Sequence, residues 1–520
     1  MELAELERQR VEKLERLRAG GITPYPRRVK RTHTIAQALA ALKAAEESGA
    51  QGPQVAVTGR LRSMRVMGKI AFAHIEDGSG AIQLFLRIQN VGQETYEMFK
   101  RDFDLGDFVG AEGALTRTRT GESSVLVERV DMLSKSVSPL PVIKEKEEDG
   151  ERVRYSAFSD IEERYRQRYA DLASNPEVRE IFRVRARTLS ALRRFFDEHD
   201  FLQVETPILQ PIYGGAAARP FVTYHQQLHQ DLYLRISFEL YLKRLLVGMY
   251  DRVYEIGRDF RNEGISPKHN PEFTQLEFYA AYWDYGDVMT FCEQMVATVA
   301  KEVTGSPVVH YQGHEIDLRP PWRRVTLRDI SLEVTGIDYF QYPTAEALAA
   351  AMQAQGLPTK PGATWGYLID KGLLGAVEPT LTQPTFVMDY PRDISPLAKT
   401  KPNDPTHVER FEFFIAGLEM GNAFTELNDP FDQEQRFLEM GRLYAPDNEE
   451  AHPMDDDYLR AMKYGMPPNG GFGMGVDRLV MLLTDQSTIA RSFSFLNCVQ
   501  KSEPIFSHAP IYTLFLWVAY

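Results

Sequence analysis

Three segments of the sequence place charged side chains inside otherwise apolar stretches, and these are the residues best suited to chemistry. The first runs from Phe260 through Arg261 and Glu263 to His269 and Phe273. A guanidinium at the start of a loop rich in Gly and Pro, such as that of Arg261, binds a phosphate or a carboxylate through two hydrogen bonds. The ring of Phe273 offers a surface on which a flat ligand would stack. The alternative interpretation is a structural salt bridge in a hairpin.

The second segment carries three carboxylates, Glu412, Glu419 and Glu426, each separated from the next by seven residues. Glu412 stands between two phenylalanines, so strand alternation predicts that it points away from their rings. Grouped carboxylates repel one another unless a cation lies among them, which predicts Mg²⁺ or a cationic substrate. A solvated edge strand explains these residues equally well when they are considered alone.

The third segment is the glycine run Gly471–Gly475, which is followed by Val476, Asp477 and Arg478. Glycines allow a ligand to approach the backbone, and Arg478 at a helix start would meet its phosphates. The run lacks the β-α-β context of a dinucleotide-binding fingerprint. The chain also has no GxxxxGK[ST], HExxH or GxSxG motif, which excludes the P-loop, zincin and nucleophile-elbow classes.

The elements that must position these residues belong to a globular chain with more than one domain. The protein has 520 residues, 43% of them hydrophobic, and a net charge of −13. Residues 1–140 hold 21 Lys and Arg against 18 Asp and Glu, so the acidity lies in the remainder of the chain. Nucleic-acid binding depends on a local basic face, so the total charge does not exclude it.

Cysteine content and hydropathy narrow the class of protein further. Cys292 and Cys498 are the only cysteines, which excludes a disulfide framework and a cysteine-based zinc site and is typical of a reducing compartment. The N-terminus lacks the features of a secretory signal, and no apolar run is long enough to span a membrane.

Residues 55–133 are predicted to form five short β-strands separated by glycine-rich turns, with a hairpin at Asp77–Gly80. Five strands in about 80 residues favour a small barrel such as an OB-fold, a fold that often binds single-stranded nucleic acid. Residues 2–18 are predicted to form a helix with many basic residues. A solvated helix face is favoured there over a nucleic-acid contact.

From residue 175 onward the pattern changes to long helices mixed with strands. Asn175 and Pro176 predict the start of a helix that ends near His199, followed by a strand up to Pro207. The later strands show no β-α-β rhythm, which predicts a mainly antiparallel sheet with flanking helices.

Taken together, the three charged segments resemble the three motifs of class II aminoacyl-tRNA synthetases, and the match is best for the lysyl-tRNA synthetase family. Motif one resembles Phe195 to Pro207, motif two resembles FRNEG…HNPEFT at 260–274, and motif three resembles GFGMGVDRL at 471–479. Further family signatures lie at 164–169, 214–220 and 239–244. The resemblance extends over nearly the whole chain, to about residue 489.

The resemblance implies an α+β protein in which an N-terminal OB-fold β-barrel precedes an antiparallel-sheet catalytic domain of class II. The expected organisation is an N-terminal helical extension at 1–50, an anticodon-binding OB-fold at 51–138, a linker at 139–174, the catalytic domain at 175–490 and a divergent tail at 491–520. The implied activity is lysine–tRNA ligation by a cytoplasmic homodimer that assembles through motif one. The implied ligands are ATP, L-lysine, tRNA(Lys) and Mg²⁺, with no membrane partner.

The resemblance also implies a role for individual residues. Arg261 and Arg478 are the expected catalytic residues. The expected ATP-binding residues are Arg261, Glu263, His269, Phe273 and Arg478. The expected lysine-binding residues are Gly214, Glu239, Tyr279, Asn422, Phe424 and Glu426. Glu412 and Glu419 are expected to hold Mg²⁺, and Arg65, Phe72, Gln83 and Glu128 to contact the anticodon. From the barrel pattern alone, Phe72 is predicted to be a core residue.

The sequence departs from the family pattern at four places. The insert around Lys144–Arg154 is long. Phe238 stands where a proline or a small residue is expected, and Met249 stands where a glycine is expected. The resemblance ends abruptly after Ile489. Two rival functions fit the sequence less well. A lysyl ligase acting on a translation factor would lack the anticodon domain, and a catalytically inactive RNA-binding paralogue would not need Arg261, Glu412, Glu419 and Arg478.

Overall fold

The predicted barrel lies in the first of two units, Met1–Asn175 and Pro176–Tyr520, into which the computed structural model divides. The structure describes residues 4–141, 143–148, 151–156, 160–443 and 453–493. The helices of the first unit are α1 (Glu5–Ala19), α2 (Ile35–Glu47), α3 (Ile88–Val91), α4 (Gln93–Asp102), α5 (Ile161–Arg166) and α6 (Arg168–Ser174). Its strands are β1 (Gln54–Met67), β2 (Ile70–Glu76), β3 (Ala81–Arg87), β4 (Phe108–Arg117), β5 (Ser123–Ser134), β6 (Ile143–Glu148) and β7 (Glu151–Ser156).

Strands β1 to β5 close into a barrel in the order β1-β2-β3-β5-β4, which confirms the predicted OB-fold. Alternate residues of each strand, among them Val57, Ile75, Leu84 and Val127, fill the interior. Only β3 and β5 pair in parallel, and the helices α3 and α4 lie between β3 and β4 in the chain. The sequence did not predict α2, α3 or α4.

The N-terminal helix α1 packs onto the barrel unit, with Leu14 and Leu17 buried. Three of its five basic residues are bound within the unit: Arg10 to the Ser136 carbonyl oxygen, Lys13 to Asp104 and Arg16 to Asp102. The prediction of a solvated basic face was therefore wrong for Arg10, which is buried, whereas Arg16 is still 43% exposed. The three side chains tie the helix to neighbouring segments, since Asp102 ends α4 and Asp104 follows it in the chain.

The charged run predicted as part of a linker contains a two-stranded antiparallel hairpin, β6 with β7. Its register sets Ile143 opposite Ser156 and Glu148 opposite Glu151. A two-stranded ladder is formed by backbone groups, so the high charge of these strands did not prevent pairing.

The second unit contains the predicted antiparallel sheet. Its helices are α7 (Pro176–Glu198), α8 (Glu239–Val247), α9 (Tyr285–Thr304), α10 (Leu327–Thr335), α11 (Ala345–Ala354), α12 (Trp365–Tyr367), α13 (Gly375–Val377), α14 (Pro430–Leu443), α15 (Asp456–Lys463) and α16 (Val476–Leu483), with a π-helical turn at Leu368–Leu374 and 3₁₀ turns at Tyr339–Gln341, Glu378–Thr380, Arg392–Ile394 and Ile489–Arg491. Its strands are β8 (Leu202–Gln203), β9 (Leu209–Gln210), β10 (Val222–His225), β11 (Gln230–Leu234), β12 (Arg252–Phe260), β13 (Glu272–Ala281), β14 (Val308–Tyr311), β15 (His314–Asp317), β16 (Arg323–Thr326), β17 (Thr385–Pro391), β18 (Thr400–Lys401), β19 (Asp404–Ile415), β20 (Leu418–Thr425) and β21 (Asn469–Gly475).

Nine strands form the main sheet, in the order β16-β17-β19-β20-β21-β13-β12-β8 with β18 beside β19. Only the β16–β17 and β12–β8 pairs are parallel. The apolar faces of α7, α9 and α16 cover one face of this sheet and form the largest core cluster, which includes Phe196, Phe278, Val296 and Phe472. On the opposite face, α8 covers part of β12 and β13, and α10 and α11 with the π-helical turn cover part of β17 and β19.

Both unusual residues near motif two have a defined place in the fold. Met249 is 88% exposed and adopts a left-handed backbone conformation, with φ of +73°. Phe238 is fully buried, and the Arg235 guanidinium lies over its ring at 4.2 Å. Phe238 therefore replaces the expected small residue by filling space beside a buried arginine.

The divergent end of the chain lies mostly outside the described residues, which stop at Phe493. Ile489 and Phe493 are still buried in the main core cluster. The helices among the described residues are all too short or too polar to cross a membrane.

Candidate active site

A cavity of about 440 Å³ lies on the face of the main sheet that α8 partly covers, in the second unit. Strand β13 forms its floor through Phe273, Gln275, Glu277 and Tyr279, which alternate with core residues such as Phe278. Because successive side chains of a strand point to opposite faces, these four side chains lie in a row along the cavity. Neighbouring strands extend the floor, since Gln275 lies opposite Gly475 and Tyr279 opposite Gly471.

One end of the cavity is built around a buried cluster of two carboxylates and one ammonium. Glu239 at the start of α8 and Glu426 just after β20 both line the cavity. Lys243, one helical turn after Glu239, is fully buried, and its Nζ lies 2.6 Å from Glu239 Oε1 and in an ion pair with Glu426. Desolvation raises the pKa of Glu426 to about 8, although Lys243 opposes the shift.

Glu277 is a third carboxylate at this end, and it lies on the cavity floor between Gln275 and Tyr279. Its Oε1 accepts hydrogen bonds from Ser237 Oγ at 2.7 Å and from Gln275 Nε2 at 2.8 Å. The Tyr279 hydroxyl donates to Oε2 at 3.3 Å. Desolvation, with Asp259 and Glu239 nearby, raises the pKa of Glu277 well above its usual value. A cationic ligand would stabilise the ionised forms of these buried carboxylates, so this end of the cavity favours one.

Two glycines allow this end of the cavity to form. A side chain on Gly471 would overlap the Glu426 carboxylate and the Tyr279 ring. Gly215, with φ of +86°, lines the cavity, where a Cβ would lie 2.9 Å from Ser237 Oγ. Gly214, the expected ligand residue, is instead packed against Leu240 and is not part of the lining.

The opposite end of the cavity carries an aromatic ring beside an arginine. Arg261 follows β12, and its guanidinium carbon lies 5.1 Å from the centroid of the Phe273 ring. The backbone holds this arrangement, because the Arg261 N–H donates to the Pro271 carbonyl oxygen at 2.8 Å and Arg261 Nε donates to that of Ile236 at 3.3 Å. Glu263 lines the cavity in the same loop.

Arg478, on the first turn of α16, connects motif three to the loop of motif two. Its Nη1 donates to the Glu419 carbonyl oxygen, and its Nη2 lies 3.3 Å from His269 Nε2. Desolvation and the Arg478 charge lower the pKa of His269, so the imidazole is neutral at pH 7. Asp477 anchors the helix start, since its Oδ2 accepts a 2.7 Å hydrogen bond from the Thr274 N–H.

Glu412 and Glu419 line the cavity wall on the neighbouring strands β19 and β20. Arg410 Nη2 donates to Glu412 Oε1 at 2.6 Å, and the Tyr390 hydroxyl donates to Oε2 at 3.0 Å. Burial and the nearby Glu419 raise the pKa of Glu412 to about 7. Burial would raise the pKa of Glu419 also, but Arg478 and other cations lower it.

A β-bulge explains how Glu419, Asn422 and Phe424 come to line the same cavity. Glu412 is opposite Asn422 and Phe414 is opposite Glu419, which leaves Met420 as an extra residue on β20. Because side chains alternate along a strand, strict alternation would direct Glu419 and Asn422 to opposite faces. The extra residue in the bulge directs both side chains to the same face of the sheet.

All predicted catalytic-domain site residues except Gly214 line this single cavity. The three carboxylates that the sequence grouped are divided within it: Glu412 and Glu419 lie together near Arg478, whereas Glu426 lies at the Glu239 end. Among the described residues no group of three His, Cys, Asp or Glu is arranged to hold a metal ion. The pair Glu412 and Glu419 suits Mg²⁺, which protein sites often hold through one or two carboxylates plus substrate phosphates.

The predicted anticodon residues lie on strands of the barrel. Phe72 is not a core residue: it points outward and stacks on Phe85, with ring centroids 4.7 Å apart. Arg65 is exposed opposite Phe72 in the β1–β2 register. Gln83 is buried and donates to Glu122, whereas Glu128 is exposed and accepts a 2.9 Å hydrogen bond from Gln54.

Sequence reasoning missed two residues that line the cavity, Glu277 and Arg410, and one behind it, Lys243, and each had a signal. Lys243 is four residues after Glu239, the spacing of a helical ion pair. Glu277 shares the odd-numbered face of β13 with Phe273 and Tyr279. Arg410 shares a strand face with Glu412, and its Nε donates to Asn422 Oδ1 at 3.1 Å.

Comparison with known proteins places these two units in known families. Residues 160–497 match the family described as tRNA synthetases class II (D, K and N), and residues 55–133 match the OB-fold nucleic acid binding domain. A protein of Roseiflexus sp. (strain RS-1) named lysine–tRNA ligase is 53% identical over 95% of this chain and 99% of its own length. Proteins of the same name from Chloroflexus aurantiacus and Pelotomaculum thermopropionicum are 51% and 50% identical, over 97% and 94% of this chain and 100% and 94% of their own lengths.

Proposed function

This chain belongs to the class II tRNA synthetases, within the lysine–tRNA ligases, and we propose that it activates L-lysine with ATP and transfers the lysyl group to tRNA(Lys). The observation that carries the proposal is the two-ended cavity. Three buried carboxylates occupy one end, and Phe273, Arg261 and Arg478 line the other. Lysine supplies two ammonium groups for the first end, and its carboxylate points toward the second.

At the acidic end, Glu239 and Glu426 receive the side-chain ammonium of lysine, and Tyr279 and Phe424 enclose its methylene groups. Asn422 completes the wall of this pocket. Glu277 lies nearer to Arg261 along β13, so it receives the α-ammonium while the α-carboxylate extends toward Arg261. A pocket formed by an excess of buried carboxylates rejects an acidic amino acid, because two like charges would be buried together.

At the opposite end, Phe273 and Arg478 enclose the adenine ring of ATP, and Glu263 accepts a hydrogen bond from its amino group. Arg261 binds the α-phosphate, with His269 and Arg478 toward the distal phosphates. The neutral imidazole of His269 accepts a hydrogen bond from Arg478 Nη2 and so orients that guanidinium without adding charge. Arg261 and Arg478 are the catalytic residues in this assignment, since both contact phosphates at which negative charge develops.

The first reaction step needs no protein base. A lysine carboxylate oxygen, already ionised, attacks the α-phosphorus of ATP, the bond to the β-phosphate oxygen breaks, and lysyl-adenylate and pyrophosphate result. Arg261 orients the two reactants and neutralises charge at the α-phosphate, so catalysis consists of positioning and electrostatic stabilisation.

Glu412 and Glu419 are the residues that would hold Mg²⁺. Each Glu412 oxygen accepts one hydrogen bond from protein and keeps a further lone pair for a cation. When bound there, Mg²⁺ supplies positive charge to the phosphate oxygens of ATP.

In the second step, a ribose hydroxyl at the 3′ end of tRNA attacks the carbonyl carbon of the adenylate, and AMP leaves. The barrel recognises the anticodon through Phe72, which stacks on a base, and through Arg65, Gln83 and Glu128, which contact base edges. Arg27 and Arg28, exposed before β1, add positive charge for the phosphate backbone.

The proposed homodimer forms through the motif-one region of the second unit. Apolar side chains are exposed there on short strands and a turn: Leu202, Leu209, Val222 and Leu228 are 45%, 48%, 60% and 62% exposed. An exposed apolar surface of this kind is typical of an interface between subunits. Sedimentation velocity at micromolar concentration tests it, with a monomer as the contradictory result. Because the substrates are ATP and tRNA, we propose a cytoplasmic location.

Lysine-dependent exchange of labelled pyrophosphate into ATP tests the proposed activity. We expect exchange with lysine to exceed that with ornithine or arginine by a large factor, and Glu426→Gln to lose most of the lysine-dependent rate. Exchange with lysine no faster than with ornithine or arginine would contradict the proposed substrate. Aminoacylation of tRNA(Lys) transcripts then tests the second step separately.

A further inference from the structure

Lys243 is a buried cation behind the amino-acid end of the cavity. Its side chain is fully buried and does not line the cavity, whereas its two partners, Glu239 and Glu426, do. The Nζ–Oε1 distance to Glu239 is 2.6 Å, and the ion pair with Glu426 is equally close. The ammonium therefore reaches both carboxylates from the side opposite to the ligand.

We infer that Lys243 is a positioning residue for amino-acid recognition: its ammonium bridges Glu239 and Glu426, orients them and supplies the charge that lets both ionise. Two carboxylates and one ammonium leave one net negative charge, which matches the single charge of the substrate's side-chain ammonium. This inference rests on the proposed lysine specificity. It assigns no contact with substrate to Lys243 itself.

The physical basis is the cost of burying two like charges together. Without a cation, two neighbouring carboxylates in a low-dielectric site share one proton, and one of them is then neutral. A protonated carboxyl group would bind a substrate ammonium weakly. Lys243 lowers the pKa of both Glu239 and Glu426, against the upward shift that burial causes.

Other groups facing this cluster do not replace the Lys243 charge. Tyr279 from β13 has its ring centroid 5.8 Å from Lys243 Nζ, and Tyr458 from α15 also faces the cluster. Burial raises the pKa of both phenols, so both are neutral at pH 7. Glu277 on β13 supplies no positive charge, and burial raises its pKa as well. Arg410 from β19 lowers the pKa of Glu239, but its guanidinium is bound to Glu412 at 2.6 Å.

The barrel unit contains a similar cluster that provides a matched control. Lys135 is fully buried there, with its Nζ 2.6 Å from Asp104 and 2.8 Å from Asp107. Substituting either lysine by methionine removes one buried ammonium from between two carboxylates, so both variants carry a comparable cost in stability. Only Lys243 is linked to the amino-acid pocket.

The experiment compares Lys243→Met, Lys135→Met and the unchanged protein in pyrophosphate exchange from pH 6.5 to 9. For Lys243→Met we expect the KM for lysine at pH 7.5 to rise about tenfold or more, with the KM for ATP changed less than about twofold. The pH at which the lysine KM levels off should also move upward, by about one unit or more. Lys135→Met should retain the unchanged KM for lysine and its pH profile.

A lysine KM and pH profile of Lys243→Met that coincide with those of the unchanged protein would overturn the inference, as would a lower KM. Lys243→Gln, which keeps a hydrogen-bond donor without the charge, should give the same shifts and serves if the methionine variant does not fold. Circular dichroism checks the fold of each variant. Absence of lysine-dependent exchange in the unchanged protein would instead contradict the proposed function.

Discussion

The Glu426 carboxylate lies directly against the backbone of Gly471, so the pocket wall has no room for a side chain at that position. Gly471 pairs with Tyr279 on one side and with Phe424 on the other. The strand is therefore part of the pocket, and its glycine is required by packing.

Gly471→Ala should impair lysine activation, because the added methyl group overlaps Glu426 and Tyr279. An overlap of this kind costs about 1–3 kcal/mol, or about a 5- to 150-fold loss of kcat/KM for lysine. Pyrophosphate exchange at varied lysine measures it. Gly375→Ala is the control, since a Cβ there meets no atom within 4 Å; an equal loss in both variants would refute the packing argument.

The KM for lysine should fall as the pH rises from 6 toward 8 and then become constant. The pKa of Glu426 in the empty pocket is raised to about 8, mainly by desolvation. A substrate ammonium binds the ionised carboxylate, so below pH 8 binding must release a proton, and KM rises by up to about tenfold per pH unit. In Glu426→Gln this dependence should disappear. A flat profile in the unchanged protein would show that Glu426 is already ionised at pH 6.

The two ends of the cavity should contribute independently to binding. Phe273→Ala removes the stacking surface for adenine and should weaken ATP by about 1–3 kcal/mol, with the KM for lysine nearly unchanged. Glu426→Gln should instead raise the KM for lysine and leave the KM for ATP nearly unchanged. The double variant should then show additive free-energy losses to within about 0.5 kcal/mol. Strong non-additivity would mean that the two ends share a structural element.

Phe72→Ala should affect only the tRNA-dependent reaction. Loss of one stacking ring costs about 1–3 kcal/mol, which we expect as a raised KM for tRNA(Lys) in aminoacylation. Lysine-dependent pyrophosphate exchange should keep its rate, because it needs no tRNA. The control is Phe108→Ala, another exposed ring of the barrel, which is 39% exposed beneath the Arg60 guanidinium. Equal effects of the two variants on aminoacylation would contradict the proposed stacking of Phe72 on an anticodon base.

Met249→Gly should stabilise the second unit. A left-handed conformation costs a non-glycine residue about 1–2 kcal/mol, and the exposed Met249 side chain has little packing to lose. We expect a higher urea midpoint for the unit. Leu438→Gly, at a residue that is 43% exposed within α14, should lower that midpoint by a comparable amount. A lower midpoint for Met249→Gly would show that its side chain contributes to packing.

Local patterns in the sequence predicted the elements that carry the site but not every contact within it. The strand at Ile70–Glu76, the helix start at Pro176 and the strands of motifs two and three all follow short-range rules, and the structure confirms them, although the same pattern placed Phe72 on the wrong face of its strand. The bulge at Met420 could not be predicted, since it depends on how β20 pairs with β19. The position of Lys243 between two carboxylates likewise depends on a residue 183 positions away, Glu426.

Strand β13 has a further consequence for substrate choice, since it fixes the distance between the two ends of the cavity. Phe273 lies at the proposed nucleotide end and Tyr279 at the proposed ammonium end, six residues apart, or about 20 Å along the strand. Backbone pairing on both sides fixes that length. An amino acid whose side chain is shorter by one methylene group therefore does not reach the Tyr279 end of the cavity. A longer side chain displaces the reacting carboxylate from its position.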